Sequence, residues 1–197
     1  MKYPSGIKRT AKVNNINYAN RGMSLEEDIN LTNQYYHDEK IAYIYKKPTP
    51  IQINQVKYYQ DGPRIKDAFF KEASTTDYNG LYNGLYIDFD VKESSNKTSF
   101  PISNIHSHQI EHLRNINDNK GISFLIVRFN KLDKNYLILT EDLLYHIDNY
   151  DKKSISVSYF EEKAHLLELK YRPRLDYLKV IERLYGGKNG KSKEKQD

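Results

Sequence analysis

The stretch Thr75-Thr-Asp-Tyr-Asn-Gly-Leu-Tyr-Asn-Gly-Leu-Tyr-Ile-Asp-Phe-Asp-Val-Lys92 decides the fold. Asn83-Gly84 stands between tyrosine- and leucine-rich flanks. It is the strongest short-range hairpin signal, because both residues tolerate the positive φ that a two-residue loop demands. With that loop, Tyr82 faces Leu85, Tyr78 faces Phe89 and Asp77 faces Asp90. Alternation puts Asp88, Asp90 and Lys92 on one side of the second strand and Ile87, Phe89 and Val91 on the other.

Residues directly opposed on paired strands have Cβ atoms about 5 Å apart, and like charges there destabilise the pair. A hard divalent cation with oxygen ligands offsets that repulsion, which makes Asp77 and Asp90 candidate metal ligands. Lys92, one step further along the same side, can stabilise developing negative charge or orient a nucleophilic water. The plainer alternative is a solvent-exposed hairpin whose polar side collects two acids and a lysine. Ahead of it, Ser24-Leu-Glu-Glu27 is a capping box that starts a helix running to about His37. The box occupies Glu27 and leaves Glu26 free to complete a Mg2+ shell, though a first-turn acid also serves to compensate the helix dipole.

Outward from the hairpin, Ile41–Lys47 reads as a strand that Pro48-Thr-Pro50 ends. Ile51–Tyr59 and Arg64–Lys71 read as extended arms around an Asp61-Gly62-Pro63 turn. Helices are expected at Ser103–Asn117, Glu141–Asp148 and Arg174–Tyr185, and strands at Gly121–Phe129 and Asn135–Leu139. The expected class is mixed α/β.

The whole chain has 197 residues and a net charge of +5. It is long enough to bury a core without cross-links, and it contains no cysteine. That excludes disulfides, cysteine zinc sites and thiol catalysis, and it fits a reducing cytoplasm. No run approaches the about 18 apolar residues of a membrane span, and Met1–Met23 lacks the apolar core of a signal peptide. Lys2, Lys8, Arg9, Lys12 and Arg21 lie in that acid-free stretch, so the rest of the chain is neutral. Residues 1–20 read as a disordered basic arm, 21–185 as the folded domain and 186–197 as a disordered polar tail. There are 18 Tyr and no Trp, so tyrosines are expected to carry part of the core, and some could stack on nucleobases. No Ser/His/Asp triad, phosphate loop or dinucleotide motif is present.

Asp77 followed by Asp90-x-Lys92 resembles the PD-(D/E)xK nuclease core, and seven ordered blocks narrow the resemblance to RecU-type Holliday junction resolvases. They are Asn20-Arg-Gly-Met-Ser-Leu-Glu26, Lys46-Lys-Pro-Thr-Pro50, Ser74-Thr-Thr-Asp-Tyr-Asn-Gly80, Tyr86-Ile-Asp-Phe-Asp-Val-Lys92, Asn96-Lys-Thr-Ser-Phe-Pro101, His108-Gln-Ile-Glu-His112 and Pro173-Arg-Leu-Asp-Tyr177. The resemblance implies a restriction-endonuclease-like mixed β-sheet flanked by helices, with a protruding β stalk at about 52–70. It also implies a homodimer that nicks opposed strands of a four-way junction with Mg2+ or Mn2+ in recombination and repair. Asp77, Asp90 and Glu26 would hold the metal and Lys92 would assist the water. The partners it implies are branched DNA, recombinase and branch-migration proteins, in the cytoplasm at the nucleoid. Two departures stand out. Asp90 replaces the family's usual Glu and is one methylene shorter, and no Arg precedes Gly62, which leaves Arg64 as the substitute. The shorter acid keeps a second reading open, a catalytically silent protein that binds branched DNA.

The expected DNA contacts are Lys46, Lys47, Lys57, Arg64, Lys66, Lys71, Thr75 and Lys97, with Lys46-Lys47 as a phosphate clamp at a strand end. Gln109 lies between Ile105 and Leu113 on an inward helical stripe, where a polar group needs a partner. It is expected either to reach the metal-bound water or Lys92, as a catalytic residue, or to bond to backbone. His106, His108 and His112 invite a zinc reading, but His106 and His108 lie about 200° apart on a helix and cannot share an ion.

Overall fold

The computed structural model describes residues 23–70 and 75–186. The expected arm, the tail beyond Gly186 and the DNA contact at Lys71 lie outside the described residues. The capping box forms as read: Ser24 Oγ accepts from the Glu27 N–H at 3.2 Å, and Glu27 Oε2 accepts from the Ser24 N–H at 2.8 Å. It starts α1 (Leu25–Asp38). Then come β1 (Tyr43–Lys46), β2 (Ile51–Tyr59), β3 (Gly62–Phe70), β4 (Tyr78–Tyr82) and β5 (Leu85–Ser94). After β6 (Ser99–Pro101) follow α2 (Ser107–Asp118), β7 (Ile122–Phe129), β8 (Lys134–Leu139) and α3 (Thr140–Asn149). The chain ends on β9 (Ser154–Ser156), α4 (Val157–Lys163), β10 (His165–Leu167) and α5 (Tyr177–Tyr185).

The central sheet has the order β1-β4-β5-β7-β8-β10. Only β5 and β7 pair in parallel, so the sheet is mixed, as expected. The Asn83-Gly84 loop sets the predicted register, with Tyr82 opposite Leu85 and Tyr78 opposite Phe89, and φ is 49° at Asn83 and 77° at Gly84. β2 and β3 form a separate two-stranded ribbon whose side chains are almost all exposed. This is the expected stalk, although Gly62 and Pro63 begin β3 rather than forming the turn.

Both sides of the sheet are covered, which explains the nearly unbroken apolar run of β7. Phe124 and Ile126 join Leu25, Ile29, Phe89, Tyr177 and Ile181 on the side of α1 and α5. Leu125 and Val127 join Leu113, Ile138, Leu143 and Phe160 on the side of α2, α3 and α4. Tyrosine does carry core volume. Tyr36, Tyr78 and Tyr177 are fully buried, and the rings of Tyr78, Phe89 and Phe124 stack at 4.9 and 4.7 Å between neighbouring centroids. The buried stripe of α1 includes Asp28, whose carboxylate accepts from Arg128 at 2.6 Å and Arg174 at 2.8 Å. No helix among the described residues is long and apolar enough to cross a membrane.

Three helices differ from expectation. The one expected at Ser103–Asn117 is split into a short 3-10 turn, Ile102–Asn104, and α2, because His106 is taken as the cap. The third helix gains one residue at each end. The last starts at Tyr177, because Arg174 is drawn to Asp28 and Leu175 bridges Leu169. The elements that sequence patterning did not indicate are β6, β9 and β10, each too short to show alternation, and the short α4.

Gly80 holds β1 against β4. A Cβ at this position would run into the main chain of Tyr43 and Ile44. Gly80→Ala is therefore expected to lower stability by about 2–3 kcal/mol in denaturant melts. A change below about 0.5 kcal/mol would show that the close approach is not a constraint.

Candidate active site

Register brings the expected acids together in rows across the sheet. Tyr43 pairs with Leu81 and Lys46 with Tyr78, and the Lys47 N–H donates to the Asp77 carbonyl at 2.7 Å. On the other edge of β4, Asn79 pairs with Asp88 and Tyr78 with Phe89, so Asp77 reaches the level of Asp90. On β5, Phe89 turns into the apolar side, while Asp88 and Asp90 alternate to the other.

Both of these carboxylates have zero solvent exposure, and their surroundings differ. Asp90 Oδ1 accepts from the Val91 N–H at 2.7 Å. Its Oδ2 has the Lys92 ammonium at 3.1 Å as an ion-pair contact and no hydrogen-bond donor. Burial pushes the Asp90 carboxyl up to about 6; Lys92 pulls it down and the charge of Asp77 pushes it up again. Across the strand, burial raises the Tyr78 hydroxyl far above its ordinary value, and the charges of Glu26, Asp77 and Asp90 add to the shift. One ring therefore feels all three acids expected to hold the metal.

Glu26 stands apart from the other two. Its Oε1 accepts from Lys46 Nζ at 2.5 Å, and both side chains are nearly half exposed. Among the described residues, no group of three His, Asp or Glu side chains stands close enough to hold one ion. The acids that meet here are Asp77 and Asp90, with Glu26 at the margin. The histidines depart from the expected helical spacing: His106 precedes the helix as its cap, so its ring stacks on His108 at 5.3 Å rather than pointing away, while His112 Nε2 stands 3.2 Å from Asp88.

Two assignments need correction, Lys47 and Gln109. Lys47 is not a free phosphate clamp, since its ammonium donates to Asp88 Oδ2 and Thr76 Oγ1, each at 3.0 Å. Its neighbour Lys46 pairs with Glu26, with both side chains nearly half exposed. Gln109 is buried, and its Oε1 accepts from the His106 N–H at 3.2 Å. It thus closes a capping box with the cap residue His106, the backbone-bonded alternative, because the helix starts one turn later than expected.

The other side chains expected to contact DNA lie in the stalk and in two loops. Lys57 and Arg64 oppose each other in the stalk, where Arg64 pairs with Asp61 and lies over the Tyr59 ring at 5.2 Å. Lys66 falls at a register shift between the stalk strands, and Lys97 is exposed in the loop after β5. Thr75 is half-buried and donates its hydroxyl to the Thr76 carbonyl at 3.3 Å. Sequence reasoning missed Thr76, Tyr86 and His112, and it placed Asp88 without assigning it a task. The signal for Asp88 was present in the alternation that puts it beside Asp90.

A family model described as "Recombination protein U" matches residues 20–183. The chain is 44% identical over 198 residues to the Holliday junction resolvase RecU of Geobacillus thermodenitrificans, covering 94% of this chain and 98% of the relative. It is 48% identical over 183 residues to the protein of the same name in Staphylococcus aureus, covering 91% and 88%. Among solved structures, the Holliday junction resolvase Hjc of Archaeoglobus fulgidus aligns over 51% of this chain and 77% of its own, with 12% identity and a TM-score of 0.34.

The raised Asp90 carboxyl generates a pH signature in the metal-free protein. Its folded value, about 6, lies above the ordinary 3.8, so the folded state holds the proton more tightly than the unfolded chain between those values. The stability this contributes is fully present below about pH 4 and is lost as pH rises through about 6. Asp90→Asn is expected to abolish that loss, which is on the order of 2–3 kcal/mol. Urea melts of both proteins at pH 4.5 and 7.5 check it; parallel pH dependence in the two would overturn it.

Proposed function

The chain belongs to the recombination protein U family of Holliday junction resolvases, and we propose that it cuts four-way DNA junctions with a divalent metal held by Asp77 and Asp90. It is a junction-resolving endonuclease by family. The observation that carries the metal reading is Asp90: a carboxylate without exposure, beside Asp77, with the Lys92 ammonium as the one cation on its Oδ2, pushed up to about 6. Such a group fits a hard cation with oxygen ligands, because the cation replaces the solvation that burial removed. Mg2+ or Mn2+ bound there supplies charge neutralisation at the phosphoryl oxygens and a more acidic water.

The chain's own residues do the rest. Lys92, 3.1 Å from Asp90, directs its ammonium to the developing negative charge. Asp77, held at the end of its strand by the Lys47 N–H, faces the reacting phosphate from the opposite strand. Glu26 joins the acids by exchanging Lys46, which frees that lysine for a backbone phosphate. Asp90 in place of a longer Glu sets its carboxylate back toward the strand, by about one C–C bond length. Lys57, Arg64 and Lys66 present the stalk's positive charge to the junction, and Lys97 extends the phosphate contacts beside β5. A homodimer supplies the second cut, on branched DNA at the nucleoid, alongside recombinase and branch-migration proteins.

A synthetic four-way junction with Mg2+ or Mn2+ tests this reading. The wild type is expected to nick it, and Asp77→Asn to lose on the order of a hundredfold or more in rate while still binding. Binding without nicking by the wild type in both metals would identify a silent junction-binding protein instead. In the stalk, Arg64→Ala is expected to weaken junction binding severalfold more than duplex binding in gel-shift titrations; equal losses would remove the stalk from junction recognition.

A further inference from the structure

Asp88 has no exposure, and both of its oxygens are taken by partners within the protein. Its Oδ2 accepts from Lys47 Nζ at 3.0 Å and Tyr86 OH at 2.8 Å, and His112 Nε2 stands 3.2 Å away. Its Oδ1 accepts from the Thr76 hydroxyl, which also receives Lys47 Nζ at 3.0 Å. A buried ion with several partners is a poor source of stability, since well-packed apolar groups of the same volume often do as well or better. Its value lies in fixing the positions of the groups that meet at it.

Those groups come from four segments, each of which carries a residue assigned above. Thr76 is bonded directly to Asp77. Lys47 is the neighbour of Asp77 across the strand pair, joined to it by the 2.7 Å backbone bond. Tyr86 lies on β5 with Asp90 and Lys92, and His112 lies on α2 with Gln109. Asp77 itself falls one residue before β4, where regular ladder bonding has ended. The side-chain tie at this strand end is the Thr76 hydroxyl on Asp88, which sits on the same strand as Asp90. The separation of the two metal-facing acids is therefore set through Asp88.

We propose that Asp88 is a positioning residue that sets the Asp77–Asp90 spacing and thereby the affinity for the divalent ion. This rests on the reading of Asp77 and Asp90 as metal ligands. A residue with only a structural role would change stability and leave metal affinity untouched.

The test is Mn2+ binding to the full-length protein without DNA, by titration calorimetry, with thermal melts of each variant. Asp88→Asn is expected to weaken Mn2+ binding by about 10- to 100-fold. Thr76→Val, which removes the hydroxyl tie and keeps the side-chain shape, is expected to weaken it about 10-fold. Leu143→Ala, a truncation in the core beneath α3, lowers stability off the network and is expected to keep wild-type affinity. Folded Asp88→Asn and Thr76→Val with wild-type Mn2+ affinity would overturn the proposal and leave the metal reading standing. Equal loss in Leu143→Ala would overturn it too, by tracing the effect to stability. If Asp88→Asn does not fold, Thr76→Val decides alone. Absence of Mn2+ binding by the wild type would remove the metal reading itself, and this proposal with it.

Discussion

The withdrawal of two carboxylates on one strand from water is the constraint around which the rest of the molecule is arranged. Asp88 and Asp90 both have zero exposure, and an unpaired ion in that position costs several kcal/mol. The fold meets this cost unequally. Asp88 receives an ammonium, two hydroxyls and a nearby imidazole. Asp90 receives one backbone N–H and one ammonium contact, and its carboxyl rises to about 6. Two identical side chains two residues apart thus take opposite roles. The first is satisfied within the protein by several donors, and the second has far fewer.

Both acids share one side of the sheet, so their inequality comes from their immediate partners. Pleating turns Phe89 into the stack of Tyr78 and Phe124, while its neighbours Asp88 and Asp90 turn to the side of α2. The aromatic stack keeps β4, β5 and β7 in fixed register beneath the acids. On the same apolar side, the start of α1 is fastened to the sheet: the Leu25 N–H donates to Glu93 and Arg128 donates to the Met23 carbonyl at 3.0 Å. Together with the Arg128–Asp28–Arg174 pairing, these contacts bring the first turn of α1, and with it Glu26, to the edge of the site. Apolar packing and buried ion pairs act on different elements here and converge on one end of the sheet.

How far this was legible in the sequence follows the range of each interaction. The hairpin register was readable because two loop residues with positive φ determine it, and period-2 alternation then assigns every side. The capping box was readable for the same reason, since its partners are three residues apart. Gln109 shows the limit. Its position on an inward stripe was right, but its role depended on whether the helix began at Ser103 or Ser107, and a boundary is the weakest part of any pattern reading. Lys47 shows another limit. A lysine at a strand end has about four rotatable bonds, and nothing in the local sequence says that it bends toward Asp88, 41 residues away. Three partners of Asp88, Lys47, Thr76 and His112, were invisible because they come from other segments, whereas Tyr86 stands two residues away on the same side of the same strand.

The distribution of charge gains meaning from the same geometry. The excess of +5 lies in the first 23 residues, and many cations of the folded part are already paired, so counting lysines does not locate DNA. What separates them is the strength of each pairing. The Lys46–Glu26 pair is nearly half exposed on both sides, and an ion pair in that setting is worth about 0–1 kcal/mol, which a DNA phosphate can match. The Lys47–Asp88 pair has its carboxylate fully buried, and breaking such a pair costs about 3–5 kcal/mol. Two adjacent lysines therefore divide the work. In the proposed reading, Lys46 is the one exchanged between protein and substrate, releasing Glu26 toward the acids. Lys47, bound to a fully buried carboxylate, is the one that stays in place.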